Sequence, residues 1–212
     1  MRKYTKETQD GLTPELALEI LKKGNERFVN NIKAHRNLLQ QVNETSSGQF
    51  PFAAILSCID SRTSAELIFD QGLGDILSIR IAGNILNEDI LGSMELACKI
   101  AGSKLIVVLG HTKCGAITGA CDNIEMGNIT ALLKKIKPAI EKETETKTGR
   151  DSSNNSFLLN VTRNNVFITV QKISEQSSIL QEMALAKQIK IIGGIHDIDT
   201  GQVTFYEPAN GI

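Results

Sequence analysis

Phe52 to Leu56 and Leu105 to Leu109 are runs of five apolar residues, and the chain has none longer. A run this short, with no polar alternation, reads as a strand covered on both faces. Strands of that kind belong to parallel sheets, which need a crossover helix between neighbours. Helical segments do alternate with them. Thr13-Pro14 is a capping residue followed by one suited to a first helical turn, and Leu16, Ile20, Leu21, Phe28 and Ile32 follow at mostly helical spacing, so a helix is expected over 14–31. Strands are expected at 52–57, 75–81, 105–109, 165–170 and 190–198. Helices are expected at 64–71, 89–101, from Lys113, at 129–141 and at 176–187. The segment 33–49 is polar and expected to be irregular, while 141–156 has no apolar residue and reads as an exposed loop or a frayed helix end. Asp199-Thr200-Gly201 is a turn signal, so 202–207 is expected to return antiparallel to the strand before it. The expected architecture is one α/β domain over 1–212. It has a central, mostly parallel sheet with an antiparallel edge strand, flanking helices and an N-terminal helical arm over 12–34.

A bilayer-spanning helix needs about 20 apolar residues, so no membrane partner is expected. The N-terminal stretch MRKYTKETQDGLTPEL carries charges but no apolar segment, and so does not read as a secretory signal. Lys and Arg number 23 against 24 Asp and Glu, a formal charge of −1 that lacks the basic excess of a nucleic-acid binder. The expectation is a soluble, cytoplasmic protein. Four cysteines in such a chain are not expected to be a disulfide set, which leaves metal binding, catalysis or plain burial.

Two short stretches carry chemistry. Cys58-Ile59-Asp60-Ser61-Arg62 follows the strand at 52–57, and His111-Thr112-Lys113-Cys114-Gly115 follows the strand at 105–109. Both lie just past the carboxyl ends of expected parallel strands, where open α/β sheets bind their ligands. Two thiols and an imidazole suit zinc, and three protein ligands leave a fourth position open for water. Cys114 also stands near a helix start, where the dipole favours the thiolate. On spacing and placement alone, metal binding and simple burial stand even, because a lone H-x-x-C is common. Asp60 and Arg62, two apart in an extended turn, can face the same way and form a bidentate ion pair. A purely structural salt bridge fits them equally at this stage.

The combined pattern is more specific. C-x-D-S-R followed by H-x-x-C-G resembles the β-class carbonic anhydrases, and so do GNERFV (24–29), ELIFDQGLGD (66–75), AGN (82–84), LIVVLGHTKCGA (105–116) and DIDTGQVTF (197–205), in that order. The resemblance implies one Zn²⁺ per chain on Cys58, His111 and Cys114, and reversible hydration of CO2 to bicarbonate and a proton by zinc-bound hydroxide. It implies Asp60 and Arg62 as the catalytic pair, with Asp60 also taking the fourth zinc position in a closed state. It implies substrate binding by the Gly115 N–H and by Gln49 reaching from a neighbouring subunit, hence a homodimer or dimer of dimers. One subgroup of the family has a Trp three residues before the first cysteine, as part of a regulatory bicarbonate site. Here that position is Ile55 and the chain has no Trp, so it resembles the subgroup without that site.

Several positions depart from the family pattern. Thr63-Ser64 replaces the usual Val-Pro, Ile81 a frequent Asn, Leu96 a pocket Tyr, and His196 the Tyr that usually precedes Asp-Ile-Asp. Cys98 and Cys121 read as core residues and His35 as exposed, while His196 could relay protons but reads better as a structural hydrogen-bonding residue. Two other functions remain open on the sequence. One is a hydrolase of carbon disulfide or carbonyl sulfide on the same scaffold. The other is a non-catalytic zinc or bicarbonate-binding protein, against which the intact Asp60 and Arg62 argue.

Overall fold

The computed structural model describes residues 5–206. The chain opens with α1 (Lys6–Asp10), α2 (Pro14–Val29) and α3 (Leu38–Thr45). Then come β1 (Ala53–Ser57), α4 (Ala65–Ile68), β2 (Ile76–Arg80), a 3₁₀ turn at Ala82–Asn84, and α5 (Glu88–Glu95), which runs into a π turn at Leu96–Ile100. β3 (Leu105–His111) is followed by α6 (Gly115–Cys121), α7 (Gly127–Lys134), α8 (Lys137–Lys142), α9 (Asn155–Gln176) and α10 (Ser178–Leu185). β4 (Lys190–His196) and β5 (Val203–Tyr206) complete the sheet. Its order is β2-β1-β3-β4-β5, parallel throughout except for β5 against β4. This is the expected α/β architecture with its antiparallel edge.

Both apolar runs are central strands, and every residue of β1 and β3 is buried. Alternate side chains feed two layers. Ala53, Ile55, Leu105, Val107 and Leu109 pack toward α2 and α4, while Ala54, Leu56, Ile106 and Val108 pack toward α5, α9 and α10. In α2 the apolar buried face includes Ala17, Leu18 and Leu21, and two of the expected apolar positions are exposed, Leu16 in the helix and Ile32 beyond its end.

Three expectations fail locally. The segment 165–170 is not a strand but the middle of α9. Its Val, Phe, Ile and Thr favour strands, yet Phe157, Val161, Asn165, Val166, Thr169 and Ile173 are buried at helical spacing along a 22-residue helix capped by Asn154. Packing overrides local propensity here. α9 can lie close on the sheet because Val166 sits over two glycines, where a Cβ on Gly110 or Gly193 would come within 2.7 or 2.6 Å of it. The polar segment 33–49 contains α3, started by the Asn37 side chain. The expected helix at 129–141 is two helices, α7 and α8, parted at Lys135–Ile136. The last expected strand ends at Tyr206, and Glu207 lies outside the described residues.

The polar stretch after α8 is ordered by one buried carboxylate. Glu143 accepts from Arg150 Nη1 at 2.5 Å and from the Thr146 N–H at 3.0 Å, and the Arg150 guanidinium lies 4.8 Å over the Phe157 ring. A second buried carboxylate fastens the arm. Asp70, at the end of α4, accepts from Arg27 Nε of α2 at 2.5 Å and from Arg36 in the segment leading to α3. Burial pushes the Asp70 carboxyl up, but the hydrogen bonds from Arg36 and Arg27 outweigh it and hold its pKa below the ordinary 3.8. With the folded value depressed, this stabilisation is complete above the ordinary value and is lost as pH falls through the folded one. Asp70→Asn should therefore cost about 2–3 kcal/mol near neutral pH, and the cost should shrink in acid. Urea unfolding of both proteins from neutral pH downward measures this. An equal loss at every pH would contradict it.

Candidate metal centre

β1 and β3 are neighbours in register, Ser57 opposite Leu109, so both release the chain at the same edge of the sheet. Cys58 is the first residue after β1. His111 is the last residue of β3, and the two residues after it turn the chain so that Cys114 opens α6 as its N-cap. Lys113 makes that turn in the left-handed region (φ 56°), which a side chain with a Cβ adopts at some cost. The ligand atoms of Cys58, His111 and Cys114 all lie within 4.8 Å of one another, and all three residues are buried. Metal binding, left even with burial on spacing alone, is favoured by this convergence.

The donor set fits zinc on independent grounds. Two sulfurs bound to a tetrahedral zinc at about 2.3 Å stand about 3.8 Å apart, and here Sγ to Sγ is 3.9 Å. His111 Nδ1 is 2.9 Å from the Thr112 carbonyl, which can only accept, so Nδ1 carries the proton and Nε2 presents a lone pair. That Nε2 is buried with no hydrogen-bond partner among the described residues, which is costly unless a ligand takes it up. The hydrogen bond between the sulfurs, against opposing burial, brings the Cys58 thiol down to about 4, with help from His111 and the Gly83 N–H. Cys114 is pushed up by the same bond, because a second negative charge beside the first is unfavourable without a cation. Gly83 reaches the Cys58 sulfur at 3.4 Å from a left-handed backbone (φ 67°).

Asp60 and Arg62 form the bidentate pair that their spacing allows. Arg62 Nε and Nη2 donate to the two carboxylate oxygens at 2.9 and 2.7 Å, and the Arg62 N–H adds a third bond at 2.9 Å. Chiefly through Arg62, the Asp60 carboxyl is held well below the usual carboxylate range. Its oxygens are engaged by Arg62 and are not gathered into the ligand cluster. Gly115 begins α6, where first-turn N–H groups have no intrahelical partner, and a Cβ there would meet nothing within 4 Å. Gln49 stands apart. It lies before β1, beside Gly74, and the five residues of β1 alone carry the chain about 16 Å further to Cys58.

His196 pairs with His111 in the ladder and is 3% exposed, yet neither ring nitrogen has a partner among the described residues, so the expected structural hydrogen bond is not present. Burial, then His111, pushes its pKa down to about 4. Cys98 and Cys121 are buried as expected, and burial raises them to about 12 and about 11, which makes them poor nucleophiles. Sequence reasoning missed Arg80 and Thr63, which hold the Cys58–Asp60 turn by its carbonyls. The only signal was that Arg80 opens the segment leading to Gly83-Asn84.

Three buried N and S donors at the carboxyl edge of a parallel sheet, with no fourth His, Cys, Asp or Glu gathered into the cluster among the described residues, fit a catalytic type of zinc centre. Comparison with known proteins agrees. The family described as carbonic anhydrase matches residues 53–203. Carbonic anhydrase 2 of Mycobacterium tuberculosis is 33% identical over 202 residues, covering 94% of this chain and 96% of that protein. Two solved folds are similar at 22% identity. One is the β-carbonic anhydrase CafA of Aspergillus fumigatus (TM-score 0.72, 81% of this chain and 83% of that one). The other is one of two tetrameric β-carbonic anhydrases from Sordaria macrospora (TM-score 0.69, 77% and 84%). The chain belongs to the β-class carbonic anhydrase family.

The centre should hold one zinc per chain. Cys114→Ser should lose metal and activity together, since a hydroxyl replaces a thiolate at one of three positions. Elemental analysis decides this, and full zinc occupancy in the variant would count against the ligand set.

Proposed function

We propose that the chain is a zinc-dependent carbonate dehydratase in which Asp60 and Arg62 handle the attacking water, and the Gly115 N–H and Gln49 of the partner subunit hold CO2. The observation that carries this reading is the buried Cys58–His111–Cys114 cluster with the ionised Asp60–Arg62 pair on the same turn. Zinc, when bound, supplies the Lewis acidity that makes water nucleophilic near neutral pH. Cys58 and Cys114 bring two negative charges where a three-histidine site brings none, so that acidification is weaker and the water needs a well-placed acceptor. Asp60 provides one. Its depressed pKa keeps it ionised, and an ionised carboxylate only accepts hydrogen bonds. The same depression makes it a poor proton carrier, so Asp60 orients the water and the proton departs by another route. Released from Arg62, Asp60 would be an oxygen ligand two residues from Cys58, able to close the site.

A cross-subunit role for Gln49 is supported by its place at the far end of β1, away from its own cluster. α3, a few residues before it, buries none of its residues and exposes Leu38, Leu39 and Val42, a face suited to a second copy of this chain. The tetrameric relatives from Sordaria macrospora are consistent with a dimer or dimer of dimers. Ile55 stands where one subgroup has its Trp and is fully buried in the α2-side core, which favours the subgroup without the regulatory bicarbonate site.

Asp60→Asn should keep zinc and lose about 10²- to 10³-fold in turnover, because an amide no longer offers the water a purely accepting, charged partner. Mixing Asp60→Asn with Gln49→Ala subunits should restore activity, because one mixed site then has both groups intact. No recovery on mixing would remove the cross-subunit role. In the wild type, kcat/KM should rise smoothly from mild acid to alkaline pH with a Hill slope near one, and bicarbonate should inhibit only as product. Stopped-flow CO2 hydration measures both, and faster sulfide release from carbon disulfide than CO2 hydration would reassign the substrate.

A further inference from the structure

β1 leaves the sheet after Ser57, and the turn that follows carries carbonyls with no strand ladder to receive them. Two of these are taken by one guanidinium. Arg80 Nε donates to the Cys58 carbonyl at 3.0 Å, and Nη2 to the Asp60 carbonyl at 2.7 Å. Arg80 is the last residue of β2 and the ladder partner of Ser57, so the fork comes from the adjacent strand at the level where β1 ends. Thr63 closes the other side, its Oγ1 donating to the same carbonyls at 3.2 and 2.9 Å and its N–H to that of Asp60 at 3.0 Å.

The clamp thus grips residues 58 and 60, a metal ligand and the acceptor carboxylate. The two carbonyls fix the Cys58–Ile59 and Asp60–Ser61 peptide planes, which bracket the Ile59–Asp60 peptide between them and so limit the starting vector of the Asp60 side chain. Arg62 cannot supply this hold, because its own fork is engaged with the Asp60 carboxylate. Nor can a lysine, which is a point charge without two donors in fixed relation. We infer that Arg80 is a positioning residue for Asp60: by fixing the Cys58–Asp60 turn it keeps the carboxylate where Arg62 engages it. This rests on the role proposed above for Asp60. Arg80 is exposed, so the substitution leaves no buried hole and the effect is one of geometry more than of folding.

Arg80→Met should keep one zinc per chain and a near wild-type Tm, lose about 10- to 100-fold in kcat with KM little changed, and release zinc faster to a chelator. Added guanidinium ion should restore part of the loss, and Arg80→Lys, which retains charge without the fork, should be nearly as slow. If Arg80→Met does not fold, the lysine variant carries the test alone. The decisive comparison is a double-mutant cycle. In an Asp60→Asn background, Arg80→Met should cost little more turnover, because Asp60 is the route by which Arg80 acts. Wild-type kcat in both Arg80 variants, or a fully additive loss in the cycle, would overturn the proposal. Wild-type turnover in Asp60→Asn alone would overturn instead the role of Asp60.

Discussion

The parallel pairing of β1 with β3 is the constraint on which the metal centre depends. Cys58 and His111 are far apart in sequence, and only the register that sets Ser57 against Leu109 delivers them to one edge at one height. A slip of one residue would send each side chain to the opposite face. Burial enforces the register, because every side chain of both strands is covered, and any slip would trade apolar contacts in both layers at once. The site therefore inherits its precision from the core.

Charge governs the rest of the centre. Three buried donors within 4.8 Å are unfavourable together without a cation, as the raised Cys114 and the orphaned His111 Nε2 both record. Arginines then arrange the surrounding turn. Arg62 holds the Asp60 carboxylate, Arg80 the carbonyls behind it, and Arg27 with Arg36 hold Asp70 at the end of the following helix. Each is a planar fork meeting paired oxygens, a geometry that fixes direction as well as distance. The zinc-loop turn and the N-terminal arm are secured by the same device.

His196 sits in the strand next to His111, buried, unpartnered among the described residues and held neutral through the physiological range. Its place in the ladder is fixed by backbone pairing with β3 and β5, so the ring adds polarity behind the centre without disturbing the sheet.

The sequence by itself determined the parallel sheet, its antiparallel edge and the ligand motifs. Uninterrupted apolar runs have one economical fate, and thiols beside strand ends are a short-range signal. The Asp60–Arg62 pair was legible too, because two residues of extended turn suffice to bring its groups together. Only the tertiary structure decided the state of 165–170, where packing over Gly110 and Gly193 made a helix of strand-favouring residues. It alone revealed Arg80, whose partners are backbone carbonyls and carry no residue identity to read. It alone set Gln49 against Gly74, in the loop that leads into β2. Local patterns encode what neighbours in sequence do, whereas contacts between distant segments exist only once the sheet register has been set.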